Sequence, residues 1–325
     1  MSAPMLKLDK ISKVYRVGAF GGTELTAVRD VSFDVRTGEV VSLIGESGSG
    51  KSTIGKMILR LVSTTAGAIT FDGQDISALK RGELKDYYRN VQGVFQDPFS
   101  CYNPIFRVDR VFGMIKDEYF PHVRGAGWRE KVDASLRAVR LEPGQVLSKY
   151  PHQLSGGQLQ RLLIARALLL DIKFLVADEV ISMLDASTRI DVLNLLADLK
   201  EQGLGILFIT HDLSLGNYVS DRTVILRRGV IVEMGATEKV FGNPLHPYTT
   251  RLLASVPQLH KKWAQVDAEL TAAAGGDAAE CVYHSMHPSG NGDRPTLAEA
   301  ETDHYVACFR IAADVDGEID LEGTC

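Results

Sequence analysis

Cysteine is scarce in this chain. Four residues in 325, Cys101, Cys281, Cys308 and Cys325, are too few and too scattered for a disulfide framework, which excludes the small stapled folds of secreted proteins. Long apolar runs are missing as well. The longest, Leu162 to Leu170, is interrupted by Arg166 and falls well short of the ~18 residues of a membrane-spanning helix. The stretch Met1 to Lys10 carries no apolar segment of the signal-peptide kind. Positive charge is not in excess: 36 lysines and arginines against 41 acidic residues leave a net charge of −5, so there is no electrostatic footprint for nucleic acid. No internal repeat is visible. What remains is an ordinary globular composition, 45% hydrophobic and 24% charged, long enough for one large domain or two modest ones.

The informative content is concentrated in a few strings. Gly45-Glu46-Ser47-Gly48-Ser49-Gly50-Lys51-Ser52-Thr53 follows an apolar run, Val40 to Ile44, and opens a helical pattern from Lys51 to Leu61. Strand, glycine-rich turn and helix N-terminus together form the setting of a P-loop. Glycines let the backbone curl so that several N–H groups point at one phosphate chain, and the helix start adds its unpaired donors and its dipole. Lys51 is placed to reach the β- and γ-phosphates, and the Ser52 hydroxyl to ligate Mg²⁺. A nucleotide-binding chain without a signal belongs in the cytosol.

The remaining pattern frames this loop. Alternating strands fill residues 5–45, and Ala68–Phe71 and Val91–Gln96 continue the sheet pattern. Helical stripes take over from Asp97 to about Leu170. Sheet runs then return at Phe174–Ala177, Ile206–Ile209 and Val224–Leu226, the first two separated by an amphipathic helix bearing Ile190, Leu193, Leu196 and Leu199. Strands alternating with helices predict an α/β fold: a P-loop NTPase core of the RecA-like kind with a mostly parallel sheet. Residues 1–242 form its nucleotide-binding domain, with a helical subdomain inserted at about 97–170. Residues 243–325, rich in proline and glycine, read as a loop-rich C-terminal extension.

Two further strings complete a site. The strand Phe174–Ala177 ends in Asp178-Glu179; Asp178 at its tip is suited to hold Mg²⁺ through water opposite Ser52, and Glu179 to orient or deprotonate an attacking water. Leu154-Ser155-Gly156-Gly157-Gln158-Leu159-Gln160-Arg161 puts a capping serine and two glycines ahead of a helix, a second anion cradle. One nucleotide does not need two cradles on one subunit, so the second is expected to serve a nucleotide held by another copy. Here the sequence resembles the ATP-binding cassette (ABC) ATPases, whose signature motif looks like LSGGQLQR. The resemblance covers roughly residues 5–240 and implies ATP with Mg²⁺ as ligands. It implies that Ser155, Gly156, Gly157 and Gln158 of one copy close over the P-loop of another in a head-to-tail dimer of identical or related ATPase subunits.

The same resemblance assigns the other parts. Gln96 in VFQDP looks like the Q-loop glutamine, which senses Mg²⁺ and the attacking water and links to a membrane partner. His211 in FITHDL looks like the switch histidine that contacts the γ-phosphate. Ser182-Met183-Leu184-Asp185 looks like the D-loop that crosses the dimer interface, and Tyr15 like the aromatic that stacks on adenine. One departure stands out: the family usually has Asp-Glu-Pro-Thr, whereas this chain has Asp178-Glu179-Val180-Ile181. Without proline the turn after Glu179 is expected to be freer, which leaves open whether this site turns over at full speed or slowly beside a competent partner.

VFQDPFSCYNP and FGNPLHPYTTRLLASVP resemble the oligopeptide and dipeptide importers, a branch that also includes oligosaccharide importers. The resemblance implies two transmembrane permease subunits, an extracytoplasmic substrate-binding protein that contacts the assembly indirectly, and residence on the cytoplasmic face of the membrane. Peptide and sugar both stay open as cargo. A soluble cassette ATPase of DNA repair or translation is the alternative, against which stands the absence of a coiled-coil insertion or a second cassette. The C-terminal Cys281, His284, His287, His304 and Cys308 have spacings compatible with zinc, while the family's four-cysteine iron–sulfur pattern is matched only at Cys281 and Cys308. If Glu179 is the base, Glu179→Gln binds ATP and dimerises, but its steady-state hydrolysis falls about 10²–10⁴-fold; unchanged turnover removes Glu179 from that role.

Overall fold

The computed structural model describes residues 3–17, 22–255 and 297–307, together with the backbone at 312–313 and 319–320. In chain order the elements begin with β1 (Leu6–Val17), β2 (Thr23–Val35), β3 (Val40–Ile44), α1 (Lys51–Ile58), β4 (Ala66–Phe71), β5 (Gln74–Asp75), α2 (Glu83–Asn90) and β6 (Val91–Val94). The helical stretch contains α3 (Asp109–Tyr119), α4 (Gly125–Ala138), α5 (Pro143–Val146) and α6 (Gly156–Leu168). The chain then returns through β7 (Phe174–Asp178), α7 (Ala186–Glu201), β8 (Gly205–Thr210), α8 (Leu213–Val219), β9 (Arg222–Arg227), β10 (Val230–Ala236), α9 (Thr237–Gly242) and α10 (Pro247–Ala254). Four short strands follow: β11 (Ala298–Glu301), β12 (His304–Val306), β13 (Ala312–Ala313) and β14 (Ile319–Asp320).

The main sheet runs β11-β12-β10-β9-β3-β8-β7-β6. Five consecutive strands, β9 to the edge strand β6, are mutually parallel; β10, β12 and β11 add antiparallel pairs at the other side. β7 and β8 are wholly buried, as expected of continuous apolar runs covered on both faces. Their side chains alternate between two cores. Phe174, Val176, Leu207 and Ile209 join Ile54, Met57 and Ile58 of α1 and the inner residues of β1 and β2. Leu175, Ala177, Ile206 and Phe208 face the other way, into a core shared with α6 and α7. The α/β reading with a mostly parallel sheet therefore holds. The early strands, however, do not join that sheet: β2-β1-β4-β5 form a separate antiparallel one.

The helical stretch is not an isolated module. Val108 and Phe112 of α3, Val132 and Leu136 of α4, and Leu159, Leu162 and Leu163 of α6 share one core with the sheet. In α7 the buried stripe is Val192, Leu193, Leu195, Leu196 and Leu199; Ile190, expected on it, is 42% exposed because the stripe begins a residue pair later. Past residue 242 the chain comes back: His304 and Val306 of β12 pair with Gly235 and Glu233 of β10, so the C-terminal region extends the main sheet.

Because Phe208 is fully buried between the sheet, α6 and α7, Phe208→Ala should lower the unfolding free energy by about 3–5 kcal/mol in urea titrations, in a single transition that includes the helical stretch.

Candidate functional site

Local structure follows from the glycine-rich turn. β3 delivers the chain to Gly45, and α1 starts at Lys51 with Gly50 as its N-cap. Gly50 has φ +107°, and a Cβ there would lie 2.5 Å from the Ala27 carbonyl, so no side chain fits. Lys51 is buried. Its Nζ donates to the carbonyls of Gly45 at 2.6 Å and Glu46 at 2.7 Å, so the loop curls around its own lysine. Burial pulls the Lys51 ammonium below its usual range, and the carboxylates of Glu179, Asp178 and Glu46 oppose that pull.

Parallel pairing of β7 with β8, and of β8 with β3, brings the strand tips together on the same edge as this loop. Ser52 Oγ of α1 donates to Asp178 Oδ1 at 3.2 Å. The hydroxyl and carboxylate form an all-oxygen donor set, which fits the hard Mg²⁺ ion. Glu179 follows with φ +50°, an uncommon conformation for a residue with a side chain. Its N–H donates to the Ile209 carbonyl at 2.9 Å, which turns its carboxylate toward the loop after β8. There Glu179 Oε1 meets His211 Nδ1 at 3.1 Å. His211 is held by the turn that Asp212 makes in capping α8.

The turn after Glu179 is not loose despite the missing proline. The Glu179 carbonyl accepts from the Ser182 N–H at 3.1 Å and Oγ at 2.9 Å. Val180 and Ile181 are buried in the core that holds α6 and α7. Apolar burial and two hydrogen bonds supply the restraint expected of proline, so the expectation of a freer turn is corrected.

Ser155 caps α6 as the sequence suggested. Its Oγ accepts from the Gln158 N–H at 3.2 Å, and the Gln158 amide oxygen accepts from the Ser155 N–H at 3.0 Å, a reciprocal capping box. Gly157 is required by packing: a Cβ there would lie 2.4 Å from the Thr188 methyl of α7. Asp185 caps α7, accepting from Thr188 N–H and from the hydroxyls of Ser187 and Thr188, which hold its carboxyl far below the usual carboxylate range. Gln96 is exposed just past β6, whose Val94 pairs with Ala177 of β7, and so lies beside the Asp178 strand tip without touching it. Tyr15 is half-buried on β1 opposite Leu25, its ring under the Lys13 ammonium at 5.1 Å.

The structure thus unites Lys51, Ser52, Asp178, Glu179 and His211 at one edge. The Ser155 turn makes no hydrogen bond with them within this chain. Of the C-terminal metal candidates, Cys281, His284, His287 and Cys308 lie outside the described residues. His304 is fully buried with Nε2 at 2.8 Å from Glu233 Oε1, and among the described residues no group of three metal-ligating side chains occurs. Two contacts escaped sequence reasoning. Gln160 of α6 is buried and its amide donates to the Phe95 carbonyl at 3.4 Å, next to Gln96. The Tyr248 hydroxyl accepts from the Glu46 N–H of the P-loop at 3.2 Å, across 202 residues. Both residues lie in strings that the sequence singles out, LSGGQLQR and FGNPLHPYTTRLLASVP, but consecutive residues do not reveal such distant partners.

Comparison with known proteins decides the family. The ABC transporter family profile matches residues 28–182, and the C-terminal region of oligopeptide/dipeptide transporters matches residues 232–286. A Brucella ovis protein described as a peptide import ATP-binding protein is 37% identical over 320 residues, 94% of this chain and 98% of that one. The chain belongs to the ABC transporter ATPase family. Another relative is the oligopeptide transport ATP-binding protein OppF of Streptococcus pyogenes serotype M1, 39% identical over 88% of this chain and 90% of its own length. Among solved structures, a dimeric post-hydrolysis state of the ATP-binding cassette MJ0796 bound to ADP and Pi superimposes with a TM-score of 0.64. It is 30% identical and covers 72% of this chain and 99% of that chain. The chain is therefore an ABC ATPase subunit of an importer.

Burial pushes the Asp178 carboxyl up, the Ser52 hydrogen bond opposes this, and the Glu179 charge adds to it. A carboxyl with a raised folded pKa costs stability when ionised, and the cost vanishes as pH falls through that pKa. Asp178→Asn should accordingly raise the melting temperature of the nucleotide-free ABC ATPase at pH 7, by a margin that narrows toward acid pH. Its Mg²⁺-dependent hydrolysis should drop about 10–100-fold.

Proposed function

We propose that this ABC ATPase powers uptake of short peptides through two separate membrane subunits, working at the cytoplasmic face of the membrane as one half of a head-to-tail pair of cassettes. The observation that carries the peptide reading is the match of residues 232–286 to the C-terminal region of oligopeptide/dipeptide transporters, together with relatives named for peptide import. These relatives are named for peptides, which favours peptide over oligosaccharide cargo and over a role in DNA repair or translation. An extracytoplasmic binding protein delivers the cargo to the membrane subunits, and the ATPase does not touch it. Among the described residues no helix is long and apolar enough to cross a membrane; in this reading the membrane contact is through partners.

In this reading, the Lys51 ammonium exchanges the carbonyls of Gly45 and Glu46 for phosphate oxygens, and the N–H groups of residues 47–53 cradle the triphosphate. Tyr15 stacks on the adenine. Ser52, Asp178 and Gln96 are the residues that hold Mg²⁺, which neutralises charge on the phosphates when bound. Glu179 takes the proton of the attacking water, while His211, already bonded to Glu179, contacts the γ-phosphate. Ser155, Gly156, Gly157 and Gln158 of a second cassette supply the other cradle, with Asp185 at the seam.

A groove of about 680 Å³ beside the Q-loop is the proposed seat of a membrane-subunit helix. Tyr102, Phe106, Met114 and Ile115 line it, with the Arg110 guanidinium 3.9 Å over the Phe106 ring. Met114 on its wall and Phe99 and Ile105 nearby are strongly exposed apolar side chains, as a docking face requires. The decisive experiment is uptake of labelled peptides and oligosaccharides by cells carrying the transporter with native or Lys51→Ala subunit: peptide uptake that depends on Lys51 supports the reading, and sugar uptake alone overturns it. Ser155→Arg should bind ATP as the parent does, yet show no ATP-dependent dimer in size-exclusion chromatography; a persisting dimer would argue against the shared site.

A further inference from the structure

We propose that Tyr248 is a positioning residue for the P-loop, through which the C-terminal region sets the affinity of the nucleotide site. The inference rests on the reading of Lys51 as the phosphate-binding lysine.

One peptide plane of the P-loop is held at both ends. Between Gly45 and Glu46, the carbonyl accepts from Lys51 Nζ at 2.6 Å and the N–H donates to Tyr248 Oη at 3.2 Å. A trans peptide directs these two groups to opposite sides. Tyr248 and Lys51 therefore grip opposite ends of the same plane at the mouth of the loop. When the lysine turns to a phosphate it releases its end, and Tyr248 alone then fixes the orientation of the plane. A loop that keeps its shape on losing the lysine needs less ordering to bind, which is preorganisation.

Tyr248 is itself held from several sides. Its ring is buried and lies beneath the Arg227 guanidinium at 5.1 Å. Its N–H donates to His246 Nδ1 at 3.0 Å. The N–H groups of Leu245 and His246 both donate to the fully buried Glu233 carboxylate at 2.9 Å. The same carboxylate meets His304 Nε2 of β12. Glu233 thus fastens the segment before α10 to β10 and to the returning C-terminal hairpin. The extension is in this way wired to the second residue of the phosphate loop, and the hydroxyl of Tyr248 is the only atom of that path that touches the loop by a hydrogen bond among the described residues.

Tyr248→Phe keeps the ring, its packing and the stacked arginine, and deletes the one hydrogen bond. With the purified full-length chain, the variant's KM for ATP, and its Kd for a fluorescent ATP analogue, should rise about fivefold, the size set by one neutral hydrogen bond. Its kcat should stay at the parent value. Amide exchange at Glu46, read by mass spectrometry on the P-loop peptide, should quicken. A merely structural role predicts the opposite split, with kcat lowered through loss of folded protein and KM unmoved. That result, or unchanged KM and exchange, overturns the proposal. Lys51→Ala is measured alongside. If it loses ATP while Tyr248→Phe keeps the parent's KM, Kd and exchange rate, the tyrosine proposal alone fails. If Lys51→Ala still binds like the parent, the reading of the site fails and takes this proposal with it.

Discussion

A buried lysine organises this molecule. Lys51 is almost completely removed from water, and an ammonium group in that position must find partners or lose its charge. It finds two carbonyls of its own loop, and three carboxylates oppose, without cancelling, the loss of hydration. The loop's curl, the start of α1 at that residue, and the placement of Asp178 and Glu179 at the tip of β7 all serve that one cation. In the proposed function, a triphosphate arriving with its own negative charge replaces those carbonyls without leaving the lysine exposed.

Around this centre the parallel sheet acts as a registration device. β3, β8, β7 and β6 end on one edge, so the glycine-rich loop, His211, the acidic pair and Gln96 emerge side by side from separate parts of the chain. The two faces of β7 and β8 feed two different cores, one with α1 and the early strands, the other with α6 and α7. The Ser155 turn is thereby joined through α6 to the face of the sheet opposite α1, while Ser155 itself stays exposed.

Val180 and Ile181 show how a motif departure is absorbed. Proline would have imposed its restraint through the covalent ring. Here burial of two apolar side chains and the Ser182 hydrogen bonds to the Glu179 carbonyl impose it through packing. The C-terminal region makes a similar point. Its proline- and glycine-rich composition suggests an appendage, yet β12 pairs with β10 and the buried Glu233 holds it there.

The amino-acid sequence by itself determined the local conformation of the turns: where glycines curl the chain ahead of a helix, which serine caps a helix, and where a buried strand ends in acid. These are short-range matters of backbone conformation and capping, legible in consecutive residues. It also determined the α/β class, because runs such as Phe174–Ala177 and Ile206–Ile209 are too uniformly apolar for anything but a covered parallel strand. Tertiary structure alone decided that β1 and β2 leave the main sheet, that Ser52 meets Asp178 across 126 residues, and that Glu179 meets His211 across 32. It alone brought Tyr248 to the loop across 202. Those contacts depend on which strand lies beside which, and strand order is set by the packing of whole layers, on which neighbouring residues carry no information.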